Sequence, residues 1–421
     1  MSGHQDVRPD AVPQMPRSLV ALFACASGLS VANVYYAQPL LDALAADFAI
    51  SHAAVGGVIT ATQVGCALAL LLLVPLGDRM DRRRLMLVQL VALVVALVGV
   101  SLATTSVTLL IGMLAVGLLG TAMTQGLIAY AATAAAPSER GRVVGAAQGG
   151  VVIGLLLARV QAGVIADLTG WRGVYFFSAV VMLALGAMLW RVLPAQVPPS
   201  RRLSYAQLIL SMFTLLRHER VLQIRGVIAL LMFSAFSVFW SVLVLPLSAP
   251  PYAFSHTLIG AFGLVGVVGA LGAARAGHWA DRGLGQWTSG LALLLLLVSW
   301  LPLSFTTSSL WWLVMGIAAL DLGGQAIHVT NQSMIFSTQP QAHSRLVACY
   351  MLFYSVGSGL GAITSTAAYV AFGWPGVCLL GAGVSGLALA FWAATLRYMP
   401  KAGVQPSVQM GGQDDVAEAT R

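Results

Sequence analysis

Apolar residues run along this chain in stretches of about 20, the length an α-helix needs to cross a bilayer. Short polar segments separate them. Twelve stretches can be marked: 18–40, 53–76, 85–105, 107–130, 143–166 and 172–193, then 226–248, 257–279, 287–306, 309–332, 345–371 and 375–396. The pattern predicts an all-α membrane protein with twelve spanning helices. The polar stretch 1–17 shows no cleavage site ahead of the first span, so it reads as an N-terminal tail and not as a removable signal peptide. Residues 194–225 read as a linker, opening on the turn-rich PAQVPPSRR and continuing as an amphipathic helix with Leu208, Met212, Leu215 and Leu216 on one face. The polar stretch 399–421 is expected to be a disordered tail.

The spans fall into two matching sets. PLGDRMDRRR, from Pro75, is echoed by HWADRGLG, from His278, with Asp78 and Asp281 separated by 281 − 78 = 203 residues. The same shift carries Pro137 to Pro340, Arg142 to Arg345, Gly154 to Gly357, and the string GWRGV from Gly170 to GWPGV from Gly373. A constant offset held over about 100 residues implies a duplicated unit. The expected architecture is therefore two pseudo-symmetric six-helix bundles, 18–193 and 226–398.

Composition fixes the solvent. Hydrophobic residues make up 58% of the chain and charged residues 9%, against about 25% charged in soluble domains. So few charges could not cover a soluble fold of 421 residues; lipid must do it. The net charge of +8 is a matter of topology, not of nucleic-acid binding. Most of the basic side chains outside the tails, including Arg79, Arg82, Arg83, Arg84, Arg140, Arg142, Arg217, Arg220, Arg225, Arg282 and Arg345, fall on one side of the twelve-span pattern. The opposite loops carry Asp42, Asp47 and Asp167. By the positive-inside rule both termini are cytoplasmic. Cys25, Cys66, Cys349 and Cys378 all lie in apolar spans and offer no loop pair for a disulfide or metal cluster.

Two charges, Asp321 and Arg159, stand well inside the spans, where a charge costs a few kcal/mol and points to function. Asp321, Gln325, His328 and Gln332 share one stripe of the tenth span, with Asn331 beside it. Asp321 and His328 can both change protonation and are the candidates for proton coupling; Asp321 could instead pair with a neighbour to fix packing. Arg159 could snorkel outward, pair with a carboxylate, or hold an anionic substrate group. Its depth differs from that of Asp321 by roughly one and a half helical turns, which argues against a direct pair. Asn33, Tyr36, Gln38, Gln63, Gln125, Ser237 and Trp240 complete the expected substrate cavity, with Gln125 the repeat mate of His328. In the repeated loops, Asp78, Arg79, Arg82, Arg83, Asp281 and Arg282 form a candidate cytoplasmic gate, the alternative being plain positive-inside retention.

With these motifs the chain resembles the major facilitator superfamily of twelve-helix secondary transporters over nearly its whole length. The superfamily's loop pattern, GxLaDRxGRR in form, is matched at Leu76, Asp78, Arg79, Arg82 and Arg83, with Val74 and Asp81 standing where it has glycines. NVYYAQPLL, GLLLAR and LDLGGQAIHVTNQS resemble segments of a bacterial branch near the drug/proton antiporters. Two features depart from those antiporters: Ala158-Arg159 replaces their Gly-Pro, and their span-4 arginine has no counterpart around Met113.

The resemblance implies proton-coupled efflux of drugs or metabolites by a monomer in the bacterial inner membrane, with lipid, a small-molecule substrate and protons as partners. An importer or uniporter of a small metabolite is the alternative. No enzymatic constellation such as HExxH or GxSxG occurs, and the single lysine, Lys401, excludes a P-loop. No cofactor or metal is expected.

Overall fold

The computed structural model of the chain describes residues 15–136, 138–193, 204–336, 338 and 343–399, without the side chains at 78, 274, 281, 343 and 344. The tail up to residue 14, the linker turn at 194–203 and the tail from 400 lie outside the described residues. All regular elements within them are helical. The first half holds α1 (Arg17–Tyr35), α2 (Leu41–Asp47), α3 (Gly56–Leu68), α4 (Arg82–Ser101), α5 (Ser106–Ala134) and α6 (Arg140–Val192). The linker helix is α7 (Tyr205–His218). The second half holds α8 (Arg220–Val242), α9 (Val244–Ser248), α10 (His256–Ala261), α11 (Val267–Trp279), α12 (Gly285–Val298), α13 (Trp300–Ser304), α14 (Leu310–Phe336) and α15 (His343–Thr395).

Helix starts follow local chemistry. Thr105 and Ser204 close capping boxes with Thr108 and Gln207, satisfying N–H groups that the first turn cannot pair. Asp81, the residue that departs from the superfamily's loop pattern, is the N-cap of α4 and accepts the Arg83 N–H at 2.8 Å. The faces are sorted for lipid, not water. On α4, Met86, Leu90, Leu93 and Leu97 are buried, while Val88, Val91 and Val95 point outward with more than half their surface open. Only a hydrocarbon surround makes such outward faces stable.

Ten helices among the described residues are long and apolar enough to cross a membrane, against the twelve marked on the sequence. The difference is confined to α6 and α15, each 53 residues long. At 1.5 Å per residue each would extend roughly 80 Å, about twice a bilayer. Each is interrupted by one glycine in non-helical backbone: Gly170 (φ 76°, ψ 171°) and Gly373 (φ 64°, ψ −161°). These two glycines are repeat mates, so the duplication places the same break in both halves.

Within the first half, α1 packs on α5 and α6, and α3 and α4 pack on α5; within the second, α8 packs on α15 and α14, with α11 and α12 on α14. The halves meet along two lines, α3 against α15 and α6 against α10. In the linker helix Leu208, Met212 and Leu215 are buried and Leu216 is half-buried, and α7 leans on α8 and α15 and on the turn Val74–Asp78.

Gly170→Ala and Gly373→Ala should each destabilise the protein by about 1–3 kcal/mol, because that backbone region is nearly closed to residues with a Cβ. Nothing lies within 4 Å of a Cβ at Gly170, so backbone alone resists the change. Gly149→Ala, in helical backbone with open space around it, should be neutral or stabilising by up to about 1 kcal/mol. Thermal unfolding of the purified protein in detergent checks this; equal midpoints for all three would show that the break glycines carry no backbone constraint.

Candidate functional site

Arg159 of α6 and Asp321 of α14 are both almost fully buried, each 4% exposed. They meet through Trp240 of α8. The Arg159 guanidinium carbon lies 4.0 Å from the indole centroid, and the indole Nε1–H donates to Asp321 Oδ1 at 3.4 Å. The arrangement explains how charges at different depths can still compensate each other: the aromatic ring carries the guanidinium on its face and the carboxylate at its edge. Arg159 Nε also donates to Gln38 Oε1 at 2.9 Å. Gln38 opens a 3₁₀ turn, Gln38–Leu40, where Pro39 cannot continue the α-helical ladder. The break in the first span thus delivers an acceptor to the buried cation. Tyr35, with its ring 5.8 Å from the guanidinium, hydrogen-bonds Tyr354 of α15.

Close approach to these two residues depends on one helix. A Cβ at Gly260 would overlap the carbonyl of Arg159, and one at Gly266 would overlap Asp321 Oδ2. The segment between them, Phe262–Gly266, is 3₁₀ and links α10 to α11. The glycine spacing legible in the eighth span therefore lets that helix lie directly against both charges.

Deeper toward the arginine-rich end, His328 hydrogen-bonds through Nδ1 to the Tyr350 hydroxyl at 3.0 Å and through Nε2 to Gln332 Nε2 at 3.3 Å. The Phe233 ring bridges from His328 (5.3 Å) to Tyr354 (4.2 Å), connecting this group to the first. A cavity of about 230 Å³ opens between the halves, lined among others by Gln89, Gln125, Thr133 and Met212, and by Arg345 and Ala348 from the second half.

The remaining expected cavity residues separate into distinct settings. Tyr36 donates to Gln161 of α6 at 3.3 Å. Asn33 is fully buried and accepts from Ser178 at 2.6 Å, tying α1 to α6 away from the Arg159–Asp321 group. Gln63 is buried on α3, one turn from Thr60, which donates to the Gly359 carbonyl of α15 at 2.8 Å. Ser237 and Ser241 bond each other at 3.1 Å, and Gln325 is half-buried on α14.

Asn331 turns elsewhere. Its Oδ1 accepts from Arg225 at 3.3 Å, in a cluster completed by Ser289 (2.6 Å) and Gln286 (2.7 Å). Arg225 corrects the charge map. Counted with the loop arginines on the sequence, it is 0% exposed, a further cation inside the bundle beside Arg159. The basic run RHERVLQIR hides it, because the chain enters α8 at Arg220 and Arg225 lies more than a turn inside.

In the first GDR loop, Arg82 bonds the carbonyls of Gly77 (3.0 Å) and Ala129 (2.8 Å), and Arg83 that of Trp190 (2.6 Å). Lys and Arg at helix ends favour such carbonyls. These bonds bind α4 to α5 and α6 within one half. Arg79 is half-buried and Arg282 exposed, while the side chains of Asp78 and Asp281, central to the expected gate, lie outside the described residues.

The fold is that of a multi-pass membrane protein with a buried polar core. The profile of the Major Facilitator Superfamily matches residues 22–331 and 261–418, and the chain belongs to that family. It is 42% identical over 386 residues to the uncharacterized transporter YgaY of Escherichia coli O157:H7, covering 90% of this chain and 96% of the relative. A transporter of Streptomyces coelicolor is 30% identical over 368 residues, covering 86% and 84%. Among solved structures, a bacterial homologue of the human lysosomal transporter Spinster, inward-facing and unoccupied, aligns with a TM-score of 0.74 at 15% identity, over 93% of this chain and 99% of that one. The POT-family transporter PepTSo gives 0.74 at 13% identity, over 92% and 99%. At these identities the two structures speak for the fold alone.

Arg225→Leu should destabilise the protein by about 1–3 kcal/mol, the cost of leaving a buried acceptor unpaired, since the fully buried Asn331 oxygen faces the lost guanidinium while Gln286 keeps its bond from Trp392. Detergent melting midpoints read the effect. A midpoint equal to wild type would show that water or another donor replaces the guanidinium.

Proposed function

We propose that the chain is a secondary active transporter of small organic molecules, working by alternating access and coupling outward transport of a drug-like or metabolite substrate to proton entry. The observation that carries this reading is the Arg159–Trp240–Asp321 contact. It places an ionisable carboxylate out of water at a point reached by helices of both halves. An ionised Asp321 compensates Arg159; a protonated one leaves the guanidinium free to attract an anionic group or to repel a cationic one. Proton binding and substrate binding are thereby linked through a single charge. His328, about 10 Å along the same helix, tunes the site. Two six-helix bundles rocking about the α3–α15 and α6–α10 lines would expose it to each side in turn, with α6 and α15 each counted as two spans. The expected orientation puts the arginine-rich loops, the 230 Å³ cavity and both termini in the cytoplasm of a bacterial cell, and the unit acts as a monomer. Asp78 remains the proposed latch residue at that end.

In proteoliposomes, Asp321→Asn should abolish pH-gradient-driven transport and substrate-dependent proton flux, while counterflow exchange persists. Undiminished proton flux would remove Asp321 from the mechanism and favour a uniporter. Arg159→Gln should raise the half-saturating concentration of carboxylic-acid substrates at least tenfold and that of cations little. A uniform loss of folded protein would assign Arg159 to structure alone.

A further inference from the structure

His256, the first residue of α10, lies between two carboxylates from the other half of the chain. Its Nε2 is 3.1 Å from Asp42 Oδ1 on α2, and its Nδ1 is 3.2 Å from Asp167 Oδ1 on α6. Asp167 also caps α10, accepting the backbone N–H groups of His256 at 3.1 Å and Thr257 at 2.9 Å. All three residues fall just beyond the apolar stretches marked on the sequence, at the arginine-poor end, and the imidazole is 24% exposed.

A neutral imidazole carries one N–H, so it can donate to only one of two carboxylates. The other ring nitrogen would then set its lone pair against an anionic oxygen. Imidazolium donates from both nitrogens and satisfies both contacts. The ring therefore reads as a cation, clamped between anions of the opposite half. A metal does not fit, because the carboxylates sit on opposite sides of one ring, and no group among the described residues could hold one.

We infer that His256, Asp42 and Asp167 form a proton-dependent latch that holds the arginine-poor face of the transporter closed. The inference rests on the alternating-access reading and adds to it a gate remote from Asp321. Other charges facing the latch are few. From α6, Arg172 is engaged with Asp47 of α2, and Arg159 is buried with Gln38 and Trp240. The turn Gln38–Leu40 and α9 bring no ionisable side chain.

The sign follows from the two contacts. The Asp42 hydrogen bond foremost, and then the charges of both carboxylates, hold His256 above the usual imidazole range against partial burial. A group raised in the closed state stabilises that state fully below its open-state pKa. The stabilisation disappears as pH rises through the higher, closed-state value. Against the opposing effect of its own partial burial, bonds from Thr257 and His256 hold Asp167 down to about 2, so it stays ionised throughout. Acid on that side thus closes the face, and alkali releases it.

Spin labels at Ala46→Cys on α2 and Leu258→Cys on α10, both exposed positions, read the gap in nanodiscs once the exposed Cys25 is replaced by Ser. Electron-resonance distances between them should be short at about pH 6 and gain a long component at about pH 9. His256→Gln should raise the open-to-closed ratio at the lower pH roughly tenfold, in line with the loss of a charge-assisted bond, and flatten its pH dependence. His256→Lys should keep the short distance at both values. A His256→Gln protein with wild-type distances and pH response would overturn the latch, as would a wild-type distance indifferent to pH. Proton flux in the Asp321→Asn protein, set beside these distances, separates the two ideas. Flux that still requires Asp321 while the distances ignore His256 defeats the latch alone. Distances that follow His256 while flux ignores Asp321 defeat the proposed coupling alone.

Discussion

Two opposite charges held out of water on either side of one indole set the terms for the helices around them. An unpaired charge in a low-dielectric interior costs several kcal/mol, and removing one partner of a buried pair is costlier than removing both. Trp240 links Arg159 and Asp321 at their depths, and Gln38 accepts the Nε–H of the guanidinium. The glycines of α10 and its 3₁₀ continuation follow from the same need. Side chains at 260 or 266 would push the helix away from the two charges and open a gap beside them. The broken end of α1 belongs to the same arrangement, since the helix ends at Tyr35 and the 3₁₀ turn that follows carries Gln38 to the guanidinium.

The two ends of the molecule solve different problems. At the arginine-poor end the halves are joined by charged groups, with His256 of one half against Asp42 and Asp167 of the other. At the arginine-rich end, the described arginines Arg82 and Arg83 spend their donors on carbonyls of their own half, and a cavity opens between the halves. Polar contacts at a water-facing end are replaceable by water, so separating them costs less than separating the packed middle. That contrast is what a transporter needs if one face is to open without disturbing the bundles.

The sequence made the membrane class, the helical repeat and the family legible, because each is written in long-range pattern. A 203-residue offset survives whatever the individual contacts are, and the positive backbone angles at Gly170 and Gly373 obey it. Asp321 and Arg159 were legible for the same reason: a charge inside an apolar run stands out. What escaped was pairing. Arg225 looked like one more loop arginine, since depth in a helix depends on where the helix begins. His256 carried no signal of its own, as its partners lie 214 and 89 residues away. Asn33 and Asn331 read as cavity polar groups, yet hydrogen-bond to Ser178 and Arg225; composition cannot tell which neighbour an amide will choose.

The departure at Ala158-Arg159 joins these threads. Transporters that this chain resembles carry Gly-Pro there, and proline breaks a helical hydrogen bond and bends the chain. Here α6 runs through the position with regular backbone, its one non-helical residue being Gly170. The helix therefore keeps its hydrogen-bond ladder at that position and carries a guanidinium there. The irregular backbone is found instead in the partner helix, at Phe262–Gly266, beside both Arg159 and Asp321. A 3₁₀ stretch in mid-helix has poorer hydrogen bonds and tolerates rearrangement. Gly266, the last residue of that stretch, lies against the Asp321 carboxylate, and the same span begins at His256. The regular run of α6 from Arg159 to Asp167 lies against both ends of α10, Arg159 against Gly260 and Asp167 against His256.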